Sequence, residues 1–114
     1  MTEWSDPTIL KSIPNTCFYH KHTIITSELT FHGYPEQPDY ATLTIVVEPN
    51  KKAIELKSVK QYLFQFRTTH ISYERLLNTI YNDFEAVYQP AKLYIKIETQ
   101  PRGGLKSIVE KGFC

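Results

Sequence analysis

Two helical patterns lie side by side in the middle of this 114-residue chain, and strand patterns stand before and after them. The first helix is predicted from apolar residues spaced three and four apart: Leu56, Val59, Leu63 and Phe66. The second is predicted over residues 72–89, with Ser72 as its N-cap and Pro90 as its stop. Its apolar stripe is Leu76, Leu77, Ile80, Tyr81, Phe84, Val87 and Tyr88. This central pair limits the choice of folds more than any other feature.

Strand-forming composition and apolar alternation predict strands over residues 17–31, 40–48, 93–97 and 105–109. Residues 1–15 read as an extended lead-in, and residues 33–39 read as a loop because Pro35 and Pro38 cannot donate to a ladder. A turn is predicted at Gly103 and Gly104. The order ββααββ indicates one α+β domain, with both helices on one face of an antiparallel sheet.

Composition excludes several classes of function. The formal net charge of +1 is too small to favour nucleic acid as a direct partner. No apolar run approaches the roughly 20 residues of a membrane span, and the first residues do not resemble a signal peptide. Two cysteines far apart, Cys17 and Cys114, argue against a disulfide framework, so we expect a cytoplasmic protein. A small core and exposed sheet edges favour a homo-oligomer.

Three stretches of the chain carry a family resemblance when they are read together. They are residues 37–42 (QPDYAT), residues 55–67 (ELKSVKQYLFQFR) and residues 101–104 (PRGG). In this order they resemble the 7-cyano-7-deazaguanine reductase (QueF) family, and the resemblance extends from about residue 28 to residue 112. It implies the tunnelling fold (T-fold), in which subunits assemble into barrels and ligands bind at subunit interfaces.

The resemblance also implies a reaction. Members of this family use NADPH to reduce the nitrile of a deazapurine to an aminomethyl group during queuosine synthesis, a step toward tRNA modification. A cysteine attacks the nitrile to form a thioimide, and an aspartate seven residues later donates a proton. A His-Glu pair at the start of the second helix also takes part in the reaction, and its glutamate binds the amidine edge of the base.

Carried over position by position, the match is partial. The aspartate corresponds to Asp39 and the glutamate to Glu74, whereas Tyr73 stands where the family has histidine. The cysteine position falls on His32 without a gap, or on Gly33 if one residue is deleted. Neither residue carries a thiol, so the resemblance predicts the pocket without the family's nucleophile.

The resemblance assigns the nicotinamide cofactor, NADPH, to the second stretch. Its matching residues are Lys57, Ser58, Lys60 and Arg67, and Arg102 beside two glycines could add a further phosphate contact. A basic stripe along the side of a helix, away from its apolar stripe, is otherwise an ordinary solvated face. Glu74 also has a purely structural interpretation, because the helix dipole favours acidic residues in the first turn of a helix.

Metal binding is not predicted. His20 and His22 would face the same way on a strand, with Cys17 and His32 nearby in sequence, and related cyclohydrolase families of this fold use zinc. The Cys-x-x-His-x-His spacing is nevertheless not that of a structural zinc site, which needs four ligands. Surface histidines are the simpler interpretation.

Three functions stay open at this point. The chain could reduce a nitrile by an altered mechanism, with Cys17 or Cys114 reaching the pocket as a relocated nucleophile. It could be a different enzyme acting on a deazapurine or pterin, for example by hydrolysis with His32 as base. It could also be a non-catalytic binding or assembly subunit. Because the thioimide route needs a polarizable thiolate, reductase activity is not expected.

Overall fold

The computed structural model describes residues 4–33, 37–101 and 103–112, with the side chains of residues 37 and 38 excepted. In chain order the elements are β1 (Ser12–Pro14), β2 (His22–Gly33), β3 (Gln37–Glu48), β4 (Lys52–Ile54), α1 (Leu56–Phe64), α2 (Tyr73–Tyr88), β5 (Lys92–Thr99) and β6 (Ile108–Lys111). Short 3-10 turns occupy Pro7–Ile9 and Gln65–Thr68.

Four strands form an antiparallel sheet in the order β2-β3-β5-β6, and β1 pairs with β4 in a separate two-stranded ladder. Alternate residues of β3 and β5 are buried, as expected when one face of a sheet is covered. They join apolar residues of α1 and α2 in a single core. The predicted α+β class, with both helices on one face of an antiparallel sheet, is therefore confirmed.

Several predicted strand boundaries were wrong. β2 begins at His22 instead of residue 17 and continues to Gly33, which pairs with Gln37 across the hairpin. The predicted loop over residues 33–39 is therefore mostly strand, and Pro38 is tolerated close to the start of β3. The last strand begins at Ile108 instead of residue 105. The predicted turn at residues 103–104 is confirmed by φ angles of 58° and 78°.

The segment before β2 is turned instead of extended. The backbone N–H of Cys17 donates to Oδ1 of Asn15 at 3.1 Å, and Nδ2 of Asn15 donates to the carbonyl of Asn50 at 2.7 Å. Tyr19 has a positive φ of 63°. Side-chain hydrogen bonds of this kind compete with strand pairing, which explains why residues 17–21 do not join the sheet.

Helix α1 and the 3-10 turn that follows it bury most of the predicted stripe, together with one residue outside it. Val59 and Phe66 are buried as expected, but Leu56 is 53 % exposed and Leu63 is only half-buried. Tyr62, which lies outside the predicted stripe, is fully buried. The predicted stripe is therefore confirmed except at Leu56. It missed Tyr62, because a phenol can enter a core when its hydroxyl finds a partner.

Helix α2 follows the sequence pattern closely. Ser72 is its N-cap, with Oγ accepting from the N–H of Arg75 at 3.3 Å. At the other end Gln89 adopts the left-handed conformation and donates its N–H to the carbonyl of Glu85 at 3.0 Å. The predicted stripe is buried or half-buried throughout.

The lead-in packs across both helices. The hydroxyl of Ser5 donates to Oδ2 of Asp83 on α2 at 2.6 Å, and the N–H of Lys11 donates to Oγ of Ser58 on α1 at 2.9 Å. The phenol of Tyr88 donates to the carbonyl of Lys11 at 2.8 Å.

Within the described residues, no helix is both long and apolar enough to cross a membrane.

Candidate functional site

A cavity of about 500 Å³ lies between the β2–β3 hairpin, the start of α2 and the chain that leads into β6. We call it the Asp39 cavity, and its lining includes Gly33, Asp39, Ser72, Tyr73, Gln100, Lys106 and Ser107. Asp39 pairs with Phe31, whose side chain is fully buried. Because paired residues share a face, Asp39 is directed toward the helices. The structure thus brings Asp39 and Tyr73 together, as the resemblance implies.

Gly33 lies against Asp39 in this cavity. A Cβ added to Gly33 would overlap Oδ2 of Asp39 and come within 3.3 Å of its Cγ. The space that a side chain at position 33 would need is therefore already taken by the Asp39 carboxylate. Glycine at this position allows that arrangement.

His32 points away from the Asp39 cavity. Its N–H donates to the carbonyl of Thr69 at 3.0 Å, and its carbonyl accepts from the N–H of Ile71 at 2.8 Å. Its imidazole lies with its centroid 5.0 Å from that of His70. Successive strand residues face opposite sides of a sheet. Of the two candidate positions for the cysteine, Gly33 is the one on the Asp39 side.

Tyr73 is held in place by the chain that enters β6. The hydroxyl of Ser107 donates to the phenol oxygen of Tyr73 at 2.9 Å, while the N–H of Ser107 donates to Oγ1 of Thr99 at 3.3 Å. Tyr73 is the first residue of α2 and half-buried. Sequence reasoning missed Ser107, because no motif or spacing distinguishes it from other surface serines.

Glu74 lines a second cavity, of about 570 Å³, between α2 and the lead-in. We call it the α2 polar cavity, and its lining includes Trp4, Ser72, Glu74, Arg75, Asn78, Asn82 and Asp83. Glu74 is exposed, and the Arg75 guanidinium lies 4.8 Å from the Trp4 ring centroid. Ser72 lines both cavities, so the two are neighbours that meet at the start of α2.

The residues assigned to the cofactor separate into two groups. Lys60 and Arg67 line a groove of about 310 Å³ between α1 and β2, which we call the α1 groove. Its floor is largely apolar and includes Ile24, Leu29, Leu56, Val59, Leu63 and Phe64. Two cations beside an apolar surface suit phosphate groups attached to a flat ring. The residues present in the groove therefore fit one nucleotide half of a nicotinamide dinucleotide.

The other assigned cofactor residues do not line the groove. Ser58 is 2 % exposed, and its Oγ accepts from Lys11 and donates to the carbonyl of Glu55 at 2.7 Å. Its hydroxyl is thus engaged within the chain. Lys57 is exposed on α1 beyond the groove lining. Arg102 lies outside the described residues.

Two further features concern metals and thiols. Among the described residues, no three His, Cys, Asp or Glu side chains lie close enough to hold a metal ion. Cys17 is exposed, in the turn before His22. Gly33 lies eleven residues farther along β2 than His22, which at strand spacing is roughly 35 Å. Within one protomer the Cys17 thiol therefore cannot reach the Asp39 cavity.

Comparison with known proteins gives a matching family model, proteins of similar sequence and a solved structure of similar fold. A family model described as QueF-like protein matches residues 38–112. NADPH-dependent 7-cyano-7-deazaguanine reductases are similar in sequence: that of Rhodopirellula baltica is 46 % identical over 62 % of this chain and 59 % of the relative. The one from Gloeothece citriformis is 36 % identical over 77 % and 62 %, respectively. The chain thus spans about three fifths of the length of these relatives.

A solved structure matches the fold. The crystal structure of the archaeosine synthase QueF-Like in the apo form superposes with a TM-score of 0.75 at 13 % sequence identity. The match covers 81 % of this chain and 91 % of the other. At this identity the likeness concerns the fold alone, and it agrees with the fold class that the sequence predicts.

Proposed function

We propose that this chain, which belongs to the QueF-like protein family, binds a 7-deazaguanine-type base but does not carry out cysteine-dependent nitrile reduction. The observation that carries the proposal is the close approach of Gly33 to the Asp39 carboxylate, which occupies the space that a side chain at position 33 would need. The described lining of the Asp39 cavity holds a carboxylate, a phenol, an amine, an amide and hydroxyls, but no thiol. Asp39 and Glu74 keep the residue types that the resemblance assigns to the family's pocket, and they support ligand binding without the family's nucleophile.

Base recognition is assigned to Glu74 and Asp39. Glu74 is exposed at the second position of α2, so its carboxylate can accept two parallel hydrogen bonds from the ring N–H and amino group of an amidine edge. Because Ser72 lines both cavities, a base lying across it contacts Glu74 on one side. Its 7-substituent then points toward Asp39 and Tyr73.

The described lining of this cavity offers no agent for the covalent step, and Cys114 lies outside the described residues. A thioimide forms when a thiolate adds to the nitrile carbon and later leaves, which requires a polarizable nucleophile of low basicity. The Asp39 carboxylate and the Tyr73 phenol do not meet that requirement. Removing a covalent nucleophile takes away most of the rate while binding persists. We therefore assign a binding role within queuosine-type tRNA modification, with small deazapurines as partners.

The α1 groove supports a nicotinamide dinucleotide, NADPH, as a second ligand. Lys60 and Arg67 would hold its phosphate groups, and the apolar floor would receive a ring. When bound, the cofactor supplies hydride. We place the protein in the cytoplasm as a homo-oligomer, in which neighbouring subunits cover the sheet edges.

Calorimetry and a turnover assay together test the proposal. We expect saturable binding of 7-cyano-7-deazaguanine to the purified protein, weakened in Asp39→Asn. With NADPH added, we expect no base-dependent oxidation and no covalent adduct by intact mass. Base-dependent NADPH oxidation at a steady rate would contradict the proposal that the protein lacks the reductive step. Absence of base binding would contradict the ligand assignment.

A further inference from the structure

A β-bulge interrupts the pairing of β2 with β3 beside the α1 groove. Thr26 pairs with Leu43 and Leu29 pairs with Ala41, so two residues, Ser27 and Glu28, stand opposite a single residue of β3. The N–H of Glu28 donates to Oγ1 of Thr26 at 3.1 Å, which fixes the bulge locally. Bulges change the direction of a side chain next to a site. Here Glu28 lines the α1 groove together with both Thr26 and Leu29.

The groove therefore contains a carboxylate as well as two cations. In the described part of the chain, no ion pair within 4 Å joins Glu28 to Lys60 or Arg67. The Arg67 guanidinium lies 4.7 Å from the ring centroid of Phe64, which holds it at the groove. Glu28 is exposed, so its oxygens are accessible to a ligand.

This combination defines the complementary ligand. The cations need an anionic group, the carboxylate needs hydroxyl or N–H donors, and the apolar floor needs a ring. One nucleotide half of a dinucleotide has all three: phosphate, ribose hydroxyls and base. At about 310 Å³ the groove is at the small end of ligand pockets, which suits one half and not the whole molecule.

We infer that Glu28 contacts the dinucleotide in the α1 groove, its carboxylate accepting hydrogen bonds from ribose hydroxyls while Lys60 and Arg67 bind phosphate oxygens. In NAD sites an acidic side chain binds ribose hydroxyls in this way, and in NADPH the nicotinamide ribose is the one that keeps both hydroxyls. The inference rests on the dinucleotide part of the proposed function. It adds a residue outside the 55–67 stretch and gives the bulge a role in binding.

Binding of NADPH, followed by calorimetry or nicotinamide fluorescence, tests the inference without any turnover. Glu28→Gln keeps the shape and removes the charge, and should weaken binding about tenfold, as expected for loss of charge-assisted hydrogen bonds. Ser27→Ala, at the adjacent bulge position, is the matched control and should bind as the wild type does. NADPH analogues lacking a ribose hydroxyl should lose affinity for the wild type and little for Glu28→Gln.

The salt dependence separates the two kinds of contact. Glu28→Gln should keep the wild-type salt dependence because its phosphate contacts remain, whereas Lys60→Gln should reduce it. Equal or tighter binding by Glu28→Gln would overturn the inference, since tighter binding means that the carboxylate repels phosphate. If the wild type binds the base but no dinucleotide, the cofactor part of the proposed function fails and the inference falls with it.

Discussion

The phenol of Tyr62 on α1 donates a 2.5 Å hydrogen bond to Oδ2 of Asp83 on α2, inside the protein. Ser5 of the lead-in donates to the same oxygen at 2.6 Å. Tyr62 is fully buried and Asp83 is 3 % exposed. Burial raises the pKa of Tyr62 far above its usual value, and the hydrogen bond to the carboxylate adds to the effect. Three separate parts of the chain are thus joined at one carboxylate.

Tyr62→Phe should lower the free energy of unfolding by about 1–3 kcal/mol, because Asp83 then keeps one of its two hydroxyl donors. Chemical denaturation measures the change. Tyr94→Phe is a matched control, since it also deletes a phenol donor to a carboxylate, Glu110, but near the surface. It should cost less than about 1 kcal/mol. A Tyr62→Phe variant as stable as the control would contradict the assigned importance of the buried contact.

Alkaline pH should destabilise the protein through its buried phenols. The pKa of Tyr88 is raised to about 12, chiefly by burial; a hydrogen bond with Ser58 opposes the shift, and the negative charge of Glu55 contributes to it. The unfolded phenol releases its proton near pH 10, so between about pH 10 and 12 the unfolded state binds fewer protons. The free energy of unfolding should therefore be unaffected by this group below about pH 10 and fall above it.

Denaturation curves at a series of pH values test this prediction. Tyr88→Phe removes one of the titrating groups, so its stability should fall less steeply between about pH 10 and 12 than that of the wild type. Because the variant also loses the hydrogen bond to Lys11, the slope is the quantity to compare, not the absolute stability. Identical slopes would show that Tyr88 does not contribute.

Glu74→Gln should weaken binding of 7-cyano-7-deazaguanine by roughly 2–3 kcal/mol, because one acceptor becomes a donor facing a donor of the base. Calorimetry gives the affinity directly. Glu85→Gln, an exposed position toward the other end of α2, removes the same charge away from the cavities and should bind normally. Equal affinities for all three proteins would refute the assignment of Glu74.

The sheet edges predict self-association. β2 and β6 are the outer strands of the four-stranded sheet, and Ile25, Tyr40 and Ile108 are each about half exposed or more. Open edges with apolar neighbours favour pairing with another copy. Light scattering at micromolar protein should therefore show a homo-oligomer, and a monodisperse monomer would contradict this.

Much of the fold could be predicted because it depends on local patterns. Alternation over Leu43, Ile45 and Val47 marks a half-covered strand, and Ser72 followed by an apolar stripe marks a capped helix. The β1–β4 ladder could not be predicted, since strands of three residues are too short to show alternation. The buried place of Asp83 was also missed, because its two donors, Ser5 and Tyr62, are distant in sequence.

The resemblance implied that Asp39 and Tyr73 lie together, and the structure places both at one cavity, but the sequence did not predict the geometry of the candidate site. The motifs place Asp39 and Tyr73 together, but they do not show that Glu74 lines a neighbouring cavity. They also leave open which of His32 and Gly33 faces Asp39. A shift of one residue along a strand moves every side chain to the other face, so only the observed register decides between them.

That register yields the sharpest chemical prediction. In a background where Cys17 and Cys114 are replaced by Ser, Gly33→Cys should form a thioimide with 7-cyano-7-deazaguanine, seen by intact mass. The new thiol would lie on the Asp39 side of β2, although the Asp39 carboxylate must rotate away because the two share space. That rotation displaces the proton donor, so we expect an adduct with little NADPH turnover.

His32→Cys in the same background is the matched control. Its thiol would lie on the opposite face of β2, beside His70, and should give no adduct. An adduct with His32→Cys and none with Gly33→Cys would show that the ungapped alignment describes the site. It would also mean that β2 rearranges on base binding, so that residue 32 points into the Asp39 cavity. Turnover by the wild type that survives loss of both native cysteines would instead show that nitrile reduction here proceeds without a thiolate. Either result would assign the reaction to groups other than a thiol at position 33. The expected pair of results, an adduct with Gly33→Cys and none with His32→Cys, would instead assign adduct formation to position 33.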